Sequence, residues 1–343
     1  MASIREIARL AGVSPATVSR VLNHDETMST AESTRERIFA IANQLNYQTV
    51  NESQKKSLQK KSRMSIAVIK IHDYHRESDD PYFHMIHKGM IDEATNWKIR
   101  LESIYINDFN AAVDYLADFG AIIVVGNLTA ETYDLIYQKN PNLIIIDDYF
   151  ASPKYDLVHP DFGKKTTEVL DWLYANNHRK IAFIGGENRV YNSAGKPVDD
   201  AEDVRTIAYK NWMKLKGLDD FIDVKITGWG IEQGLEQAVQ LIEAGNLPTA
   251  IVSASDPLSI GIYRAFQTHH LNIGQTISIF SFDDIEMAAY LTPSLSTVHI
   301  DSHEIGRVAV RLAKERIVDQ RKTALRVEVA SELIVRESSQ RID

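Results

Sequence analysis

The sequence predicts an α/β protein: an all-α head followed by a core of doubly wound parallel sheets split into two lobes. Three observations lead there. In residues 3–47 apolar side chains recur at helical spacing between capping signals. From Met64 onward, β-branched runs alternate with amphipathic stretches of helix length, the pattern of parallel strands covered on both faces. The chain also has 343 residues, and single hydrophobic cores stop growing at roughly 250–300.

In the head, Ser3-Ile4-Arg5-Glu6 is a capping box, the serine oxygen covering a free amide of the first turn while the glutamate reaches back. Ile4, Ile7, Ala8 and Ala11 then share one helical face, and Gly12 offers a stop. Ser14 caps a second helix with Pro15 at its first position, where a missing amide proton costs nothing. Val18, Val21 and Leu22 face inward there; Ala16, Thr17 and Arg20 face out. A second capping box, Ser29-Thr30-Ala31-Glu32, opens a third helix that buries Ile38, Ile41, Ala42 and Leu45. Helix, turn of about four residues, helix and bracing helix make a helix-turn-helix, whose second helix reads the DNA major groove. The outward residues suit that task. Arg20 can fork two donors onto O6 and N7 of a guanine, and Pro15 and Ala16 can sit against a thymine methyl. Ser3, Ser14, Thr17, Ser19 and Asn23 are short donors suited to phosphate oxygens, which position without specifying. The competing reading is a three-helix bundle whose serines are only caps.

Zero cysteines excludes disulfides and thiolate metal sites. No apolar run approaches the roughly twenty residues of a membrane span, and Met1-Ala2-Ser3-Ile4-Arg5 starts no signal peptide, so a cytoplasmic protein without membrane contact is expected. The formal net charge of −9 is unevenly spread: residues 1–63 hold ten Lys/Arg against six Asp/Glu, +4, which leaves −13 on the remainder. A basic head on an acidic body concentrates phosphate attraction at one end. Residues 48–63, QTVNESQKKSLQKKSR, lack helix-period apolar positions and read as a linker, with Lys55, Lys56, Lys60 and Lys61 available to phosphates.

The run SIREIARLAGVSPATVSRVLN, Ser3 to Asn23, resembles the headpiece of the lactose/galactose repressor family of transcriptional regulators almost residue for residue. The resemblance extends over the whole chain and is nearest to the galactoside-responsive members. It implies that the linker is a hinge helix that folds on DNA, pairs with its dimer mate and pushes a leucine into the minor groove. Leu58 is the only leucine there and so the candidate wedge. Thr49 replaces the family's proline soon after Tyr47, and Leu58 sits about two residues late; a plain tether whose leucine packs on the core is the alternative. The expected domains are a head at 1–47, a hinge at 48–63, an N-terminal lobe at 64–160 plus 295–320, and a C-terminal lobe at 161–294 plus 321–343.

Within the core, strand-like runs fall at 66–71, 101–106, 121–125, 143–146, 181–184, 221–226, 250–254 and 277–282, with helices such as 83–97 and 163–176 between them. Ligands of such sheets bind at the carboxyl ends of strands, here in a crevice between lobes. Asp147 and Asp148 end the fourth run, Ser255 and Asp256 follow the seventh, and Asp283 and Asp284 end the eighth. Trp229 lies just after the sixth, and Arg205 opens the helix before it. Carboxylates accept sugar hydroxyl protons, a guanidinium donates to ring or hydroxyl oxygens, and an indole covers the apolar face of a pyranose. On residue types alone, helix caps and core packing account for the same residues at least as well.

The resemblance favours the sugar reading. Arg205-Thr206-Ile207-Ala208-Tyr209, the turn Phe282-Asp283-Asp284 and the crossover Pro293-Ser294-Leu295-Ser296-Thr297-Val298 match the family's pattern. Ala254-Ser255-Asp256 matches a small/Asn-Asp turn with serine in the asparagine's place, and Trp229 aligns with a tryptophan that stacks on galactosides. The resemblance implies a periplasmic-binding-protein-like core in which Arg205, Trp229, Ser255 and Asp283 of one lobe and Asp147 and Tyr82 of the other hold a small sugar, galactose or a galactoside, with no other cofactor. It also implies a homodimer on a pseudopalindromic double-stranded operator, released when sugar binds. Residues 332–343 show no leucine heptads, which favours a dimer over a tetramer.

Catalysis is not expected. No G-x-G-x-x-G follows the first strand, and neither G-x-x-x-x-G-K-[ST] nor G-x-S-x-G occurs. The pairs His72/His75 and His84/His87 lack the glutamate of a zinc hydrolase motif and are expected exposed or core-facing. The alternatives are a regulator of the same fold answering to a purine, a sugar phosphate or a phosphoprotein partner, and, less favoured, a non-regulatory sugar-binding protein.

Overall fold

The computed structural model describes residues 3–22, 30–45, 64–71 and 80–342. The chain divides into two units, Met1–Arg63 and Met64–Asp343.

The first unit holds α1 (Ile4–Ala11), α2 (Pro15–Leu22) and α3 (Glu32–Gln44). Ser3 Oγ accepts from the Glu6 amide at 3.3 Å and Ser14 Oγ from the Thr17 amide at 3.1 Å, so both serines cap as the sequence predicts. Gly12, at φ 66°, ends α1 in the left-handed region that side chains disfavour. Ile7, Ala8, Ala11, Val18, Val21, Leu22, Ile38 and Ala42 form one buried cluster, with Ile4, Ile41 and Leu45 packed on its edge. One expectation shifts. α3 opens at Glu32, and the Ala31 carbonyl accepts from the Thr34 and Arg35 amides. Glu32 is therefore the first helical residue, not the third, and the 29–32 box does not set this helix end. Ser29 lies outside the described residues, as do Asn23, His72, His75 and the 48–63 segment with Leu58.

The second unit follows as β1 (Ser65–Lys70), α4 (Pro81–Trp97), β2 (Arg100–Tyr105), β3 (Ala121–Val125), α5 (Ala130–Lys139), β4 (Leu143–Ile146), β5 (Asp156–Pro160) and α6 (Phe162–Ala175). Then come β6 (Ile181–Gly186), the hairpin β7 (Arg189–Tyr191) and β8 (Pro197–Asp200), α7 (Val204–Leu215), β9 (Asp223–Thr227), α8 (Ile231–Glu243), β10 (Ala250–Ser253) and α9 (Asp256–Thr268). The last elements are β11 (Ser278–Asp283), β12 (Ser296–His299), α10 (Ser302–Lys314), β13 (Arg326–Val329) and β14 (Glu332–Ile334).

These strands make two six-stranded sheets, β13-β5-β4-β3-β1-β2 and β14-β12-β11-β10-β6-β9. All pairs are parallel except β12–β14. The eight apolar runs of the sequence are β1 to β4, β6, β9, β10 and β11. Strands β1, β3, β4 and β10 are buried at every position, as continuous β-branched runs between helical layers should be. β5 is less apolar, and it holds its place because Asp156 is satisfied: its carboxylate accepts from Arg316 Nε at 2.6 Å, Arg321 Nη2 at 2.7 Å and the Leu325 amide at 2.7 Å. Helices α4 and α10 meet backbone to backbone, since a Cβ on Gly306 would lie 2.0 Å from the Ile86 carbonyl oxygen.

The chain crosses between lobes three times, after β5, after β12 and after β13. The expected lobe boundaries are thereby corrected at two points. β12 (Ser296–His299) pairs with β11 in the C-terminal sheet, so residues near 295 have not yet left that lobe, and β13 (Arg326–Val329) pairs with β5, so the N-terminal lobe runs past 320. Both are short: β13 is an edge strand fixed only by β5, and β12 is held between β11 and β14. The first and third crossings touch where Asp161 Oδ1 accepts from the Ser331 amide at 3.1 Å. Among the described residues no helix is long and apolar enough to cross a membrane, and no cluster of three or more His, Asp or Glu could hold a metal ion. His84 is exposed and His87 half-buried, and burial lowers the His87 pKa to about 4.

Candidate functional site

The two lobes repeat a strand order and, with it, half a site. β1 and β6 hold the same place in their sheets, and each leads to a helix capped by an aspartate. Asp80 Oδ1 accepts from the Tyr82 amide at 3.0 Å; Asp203 Oδ1 accepts from the Arg205 amide at 2.8 Å. Tyr82 and Arg205 are thus equivalent positions, the second residue of each helix. β4 and β11 are likewise equivalent: β4 is followed by Asp147 at φ 69° and β11 ends in Asp283 at φ 110°. The first angle lies in the left-handed basin that aspartate tolerates; the second, at Asp283, lies outside it, and backbone strain of that kind gathers at ligand sites.

Between these half-sites lies a cleft open to solvent. Tyr82, Asp147, Arg205, Trp229, Ser255 and Asp283, the six residues singled out in the sequence, all line it. Asp80, Asn127, Tyr149, Phe162, Glu187, Asn188, Arg189, Tyr191 and Asp203 line it as well and escaped the sequence reading. The signal that could have found Asp80 and Asp203 is the repeat itself, Asp-x-Tyr and Asp-x-Arg at the first helix of each lobe.

Arg205 is buried and held on every side. Its Nε and Nη2 donate to the two oxygens of Asp203, each at 2.8 Å, and Nη1 donates to the Ala254 carbonyl at 2.7 Å. The guanidinium carbon lies 4.1 Å from the Phe162 ring centroid and 5.1 Å from that of Trp229. Burial opposes the charges of Arg205 and Asp203, yet their pairing raises the arginine pKa and lowers that of the aspartate. A guanidinium has five N–H donors; three are used here, leaving one each on Nη1 and Nη2.

Asp147 accepts from the Tyr82 hydroxyl at 2.6 Å through Oδ2, while its Oδ1 is buried without a hydrogen-bond partner. Burial pushes its pKa up to about 7, against the lowering effect of Tyr82 and Arg205. Asp283 is also raised well above the usual carboxylate range, by burial and then by Asp256 and Asp80. An orphaned buried acceptor carries a desolvation cost that a ligand hydroxyl can remove.

Trp229 donates from Nε1 to the Glu187 carbonyl at 2.8 Å and lies flat over Gly186, where a Cβ would meet indole Cε2 at 2.1 Å. Only glycine allows that approach. Ser255 is the N-cap of α9, its Oγ 3.5 Å from the Leu258 amide, so its hydroxyl has a structural duty at the cleft wall. The other strand-end acids lie outside the cleft lining. Asp148 accepts from the Tyr133 hydroxyl and the Phe150 amide, Asp256 from the Ile285 amide and the Thr297 hydroxyl, and Asp284 from Arg336. For these three, the capping and packing reading is the correct one.

On the head, Ser3, Ser14, Pro15, Ala16 and Arg20 are exposed, and Thr17 and Ser19 half-buried, while Val18, Val21 and Leu22 of α2 belong to the buried cluster.

The match to bacterial regulatory proteins of the lacI family covers residues 3–49, and that to a periplasmic binding protein-like domain covers residues 170–339. The chain is 31% identical to the HTH-type transcriptional regulator GanR of Bacillus subtilis (strain 168), over 98% of this chain and 99% of that protein. It is 30% identical to the HTH-type transcriptional repressor MelR of the same organism, over 98% and 97%. A solved structure, the Lac repressor dimer bound to operator and the anti-inducer ONPF, superposes with a TM-score of 0.70 at 20% identity, covering 99% of each chain, which is a likeness of fold.

Proposed function

Since the chain belongs to the lacI family of bacterial regulatory proteins, we propose that it is a sugar-responsive repressor that binds a double-stranded operator as a homodimer and is released by galactose or a galactoside in the cleft. Family membership makes it a DNA-binding transcriptional regulator, as its relatives are, and not an enzyme. Such a protein works in the cytoplasm, where the operator is. On the head, Arg20 reads a base edge while Ser3, Ser14, Thr17 and Ser19 meet phosphates.

The observation that carries the effector class is the charge and hydrogen-bonding state of the cleft. Five acids line it, Asp80, Asp147, Glu187, Asp203 and Asp283, against two cations, and each cation already faces a carboxylate, Arg205 on Asp203 and Arg189 on Glu187. A sugar phosphate or nucleotide would meet net negative charge. A neutral sugar would instead donate a hydroxyl to Asp147 Oδ1, accept from the remaining Arg205 N–H groups and lay an apolar face on Trp229.

A ligand releases DNA only through unequal affinity for two arrangements of the lobes, typically about 1–3 kcal/mol of coupling. The test is a heat-shift series with galactose, lactose, hypoxanthine and glucose 6-phosphate, paired with operator retardation. A true effector stabilises by about 2.7 kcal/mol at a hundredfold excess over Kd. Stabilisation by galactose or lactose with loss of operator binding supports the proposal; stabilisation by the purine or the phosphosugar alone overturns it.

A further inference from the structure

The hairpin β7–β8 leaves the C-terminal lobe between β6 and α7, yet it is fastened to the N-terminal lobe. The Tyr191 amide donates to the Asn127 carbonyl at 3.1 Å, and the Thr129 amide donates to the Tyr191 carbonyl at 2.9 Å, a two-way backbone pair across the lobes. The Asn127 side-chain amide donates to Asn188 Oδ1. The Tyr191 ring packs on the apolar cluster of the N-terminal lobe that includes Leu128 and Tyr133. At the tip, Gly195 (φ 70°) approaches Asn107 so closely that a Cβ would meet Oδ1 at 2.4 Å and Cα at 3.1 Å.

Topology gives these contacts their meaning. The three covalent crossings leave β5, β12 and β13, which all lie at one end of the two strand orders. The hairpin instead grips the loops after β2 and β3, toward the other end. The cleft lies between, and Glu187, Asn188, Arg189 and Tyr191 at the hairpin's root form part of its wall. We infer that the hairpin is a releasable latch on the cleft: the crossings are the fixed side, and an effector enters or leaves when the inter-lobe pair at Tyr191 opens. Two backbone hydrogen bonds, one side-chain hydrogen bond, one aromatic contact and the approach of Gly195 to Asn107 are a small local set, within the range of segments that open without global unfolding. This inference deepens the effector reading above and rests on it for the identity of the ligand alone.

The test uses the full-length protein, Gly195→Ala, and a second variant in which residues 189–200 are replaced by a short Gly-Ser turn. Amide hydrogen exchange at Thr129 and Tyr191 is measured without ligand, and lactose release is followed by Trp229 emission. In the unaltered chain both amides should be protected. In each variant Thr129 should lose protection while β3 and β6 keep theirs, and lactose should leave at least tenfold faster. Fast exchange at Thr129 in the unaltered protein, or a freed Thr129 with an unchanged release rate, overturns the latch. Should lactose fail to bind at all, the sugar reading falls by itself, and exchange at Thr129, which needs no ligand, still decides whether the lobes are clamped there.

Discussion

Asp147 is the point at which solution pH should reach the cleft. Its pKa is pushed up to about 7 by burial, Oδ2 is taken by the Tyr82 hydroxyl, and Oδ1 has no partner. A sugar hydroxyl donating to Oδ1 competes with a proton for the same oxygen. The apparent Kd for lactose should therefore weaken by about tenfold per pH unit below the folded pKa and level off above it, so that affinity improves about tenfold from pH 6 to pH 8. The sign for stability is opposite. A carboxyl whose folded pKa exceeds its unfolded value adds stability in full below the unfolded pKa, and loses it as pH rises through about 7. Asp147→Asn cannot titrate, so above pH 7 it should melt at a higher temperature than the unaltered chain while binding lactose more weakly, with no pH dependence from this site. Asp283 is also pushed up, and Asp283→Asn serves as the control that should leave the profile of Asp147 in place. Calorimetric titration across this pH range measures the first effect and thermal melts the second. A flat affinity profile in the unaltered protein, or a profile that survives Asp147→Asn, would refute the reasoning.

Three further outcomes are expected. Gly186→Ala drives a Cβ into the indole of Trp229, which should shift tryptophan emission and weaken lactose binding at least tenfold with little change in melting temperature; retained affinity would remove the stacking role. Arg20→Ala should cost about 1–3 kcal/mol on the specific operator with little loss on random duplex, and equal losses in a salt-matched retardation assay would exclude base reading. Asp156→Asn leaves Arg316 and Arg321 facing each other without their shared carboxylate. It should destabilise the N-terminal lobe by about 3–5 kcal/mol in urea melts; a loss below about 1 kcal/mol would reduce that network to a surface contact.

How much of this was legible in the sequence depends on how local the determinants are. The caps at Ser3 and Ser14 could be read because a helix start is decided within four residues, whereas the start of α3 could not, since Ser29 and Glu32 mimic a box that the backbone bypasses at Ala31. Six of the eight apolar runs, β1, β3, β4, β6, β10 and β11, announced themselves because strands buried on both faces must be largely apolar, while β2 and β9 are partly exposed edge strands. β5, β12, β13 and β14 did not announce themselves: Asp156 is buried by virtue of Arg316 and Arg321, Ser296–His299 is mostly polar and held between β11 and β14, and Arg326–Val329 is a strand only because β5 lies beside it. That blindness also misplaced two of the lobe crossings. Of the five strand-end acids only two line the cleft, and residue type could not separate Asp147 from Asp148 or Asp283 from Asp284. The separating property is what the oxygens already accept: those of Asp148 and Asp284 are taken by Tyr133, Phe150 and Arg336, while Asp147 Oδ1 has no partner. The hairpin was invisible because strands of three and four residues, mostly polar and joined by a polar turn, carry no period.

The repeat between lobes bears on how binding could become a signal. Within the N-terminal lobe Tyr82 is fixed by Asp147, and within the C-terminal lobe Arg205 is fixed by Asp203. Each half-site is thus assembled before any ligand arrives, and a sugar held by one half alone would have equal affinity for every arrangement of the lobes. Equal affinity shifts no equilibrium, however tight the binding. Only hydrogen bonds that one sugar makes to both halves at once, to Asp147 Oδ1 on one side and the Arg205 N–H groups on the other, depend on how the lobes are set. Regulation should therefore track bridging contacts rather than affinity. A ligand that occupies the C-terminal half but lacks the hydroxyl that reaches Asp147 should bind measurably and leave the operator complex intact, which makes it a competitor of the effector and not a weaker version of it.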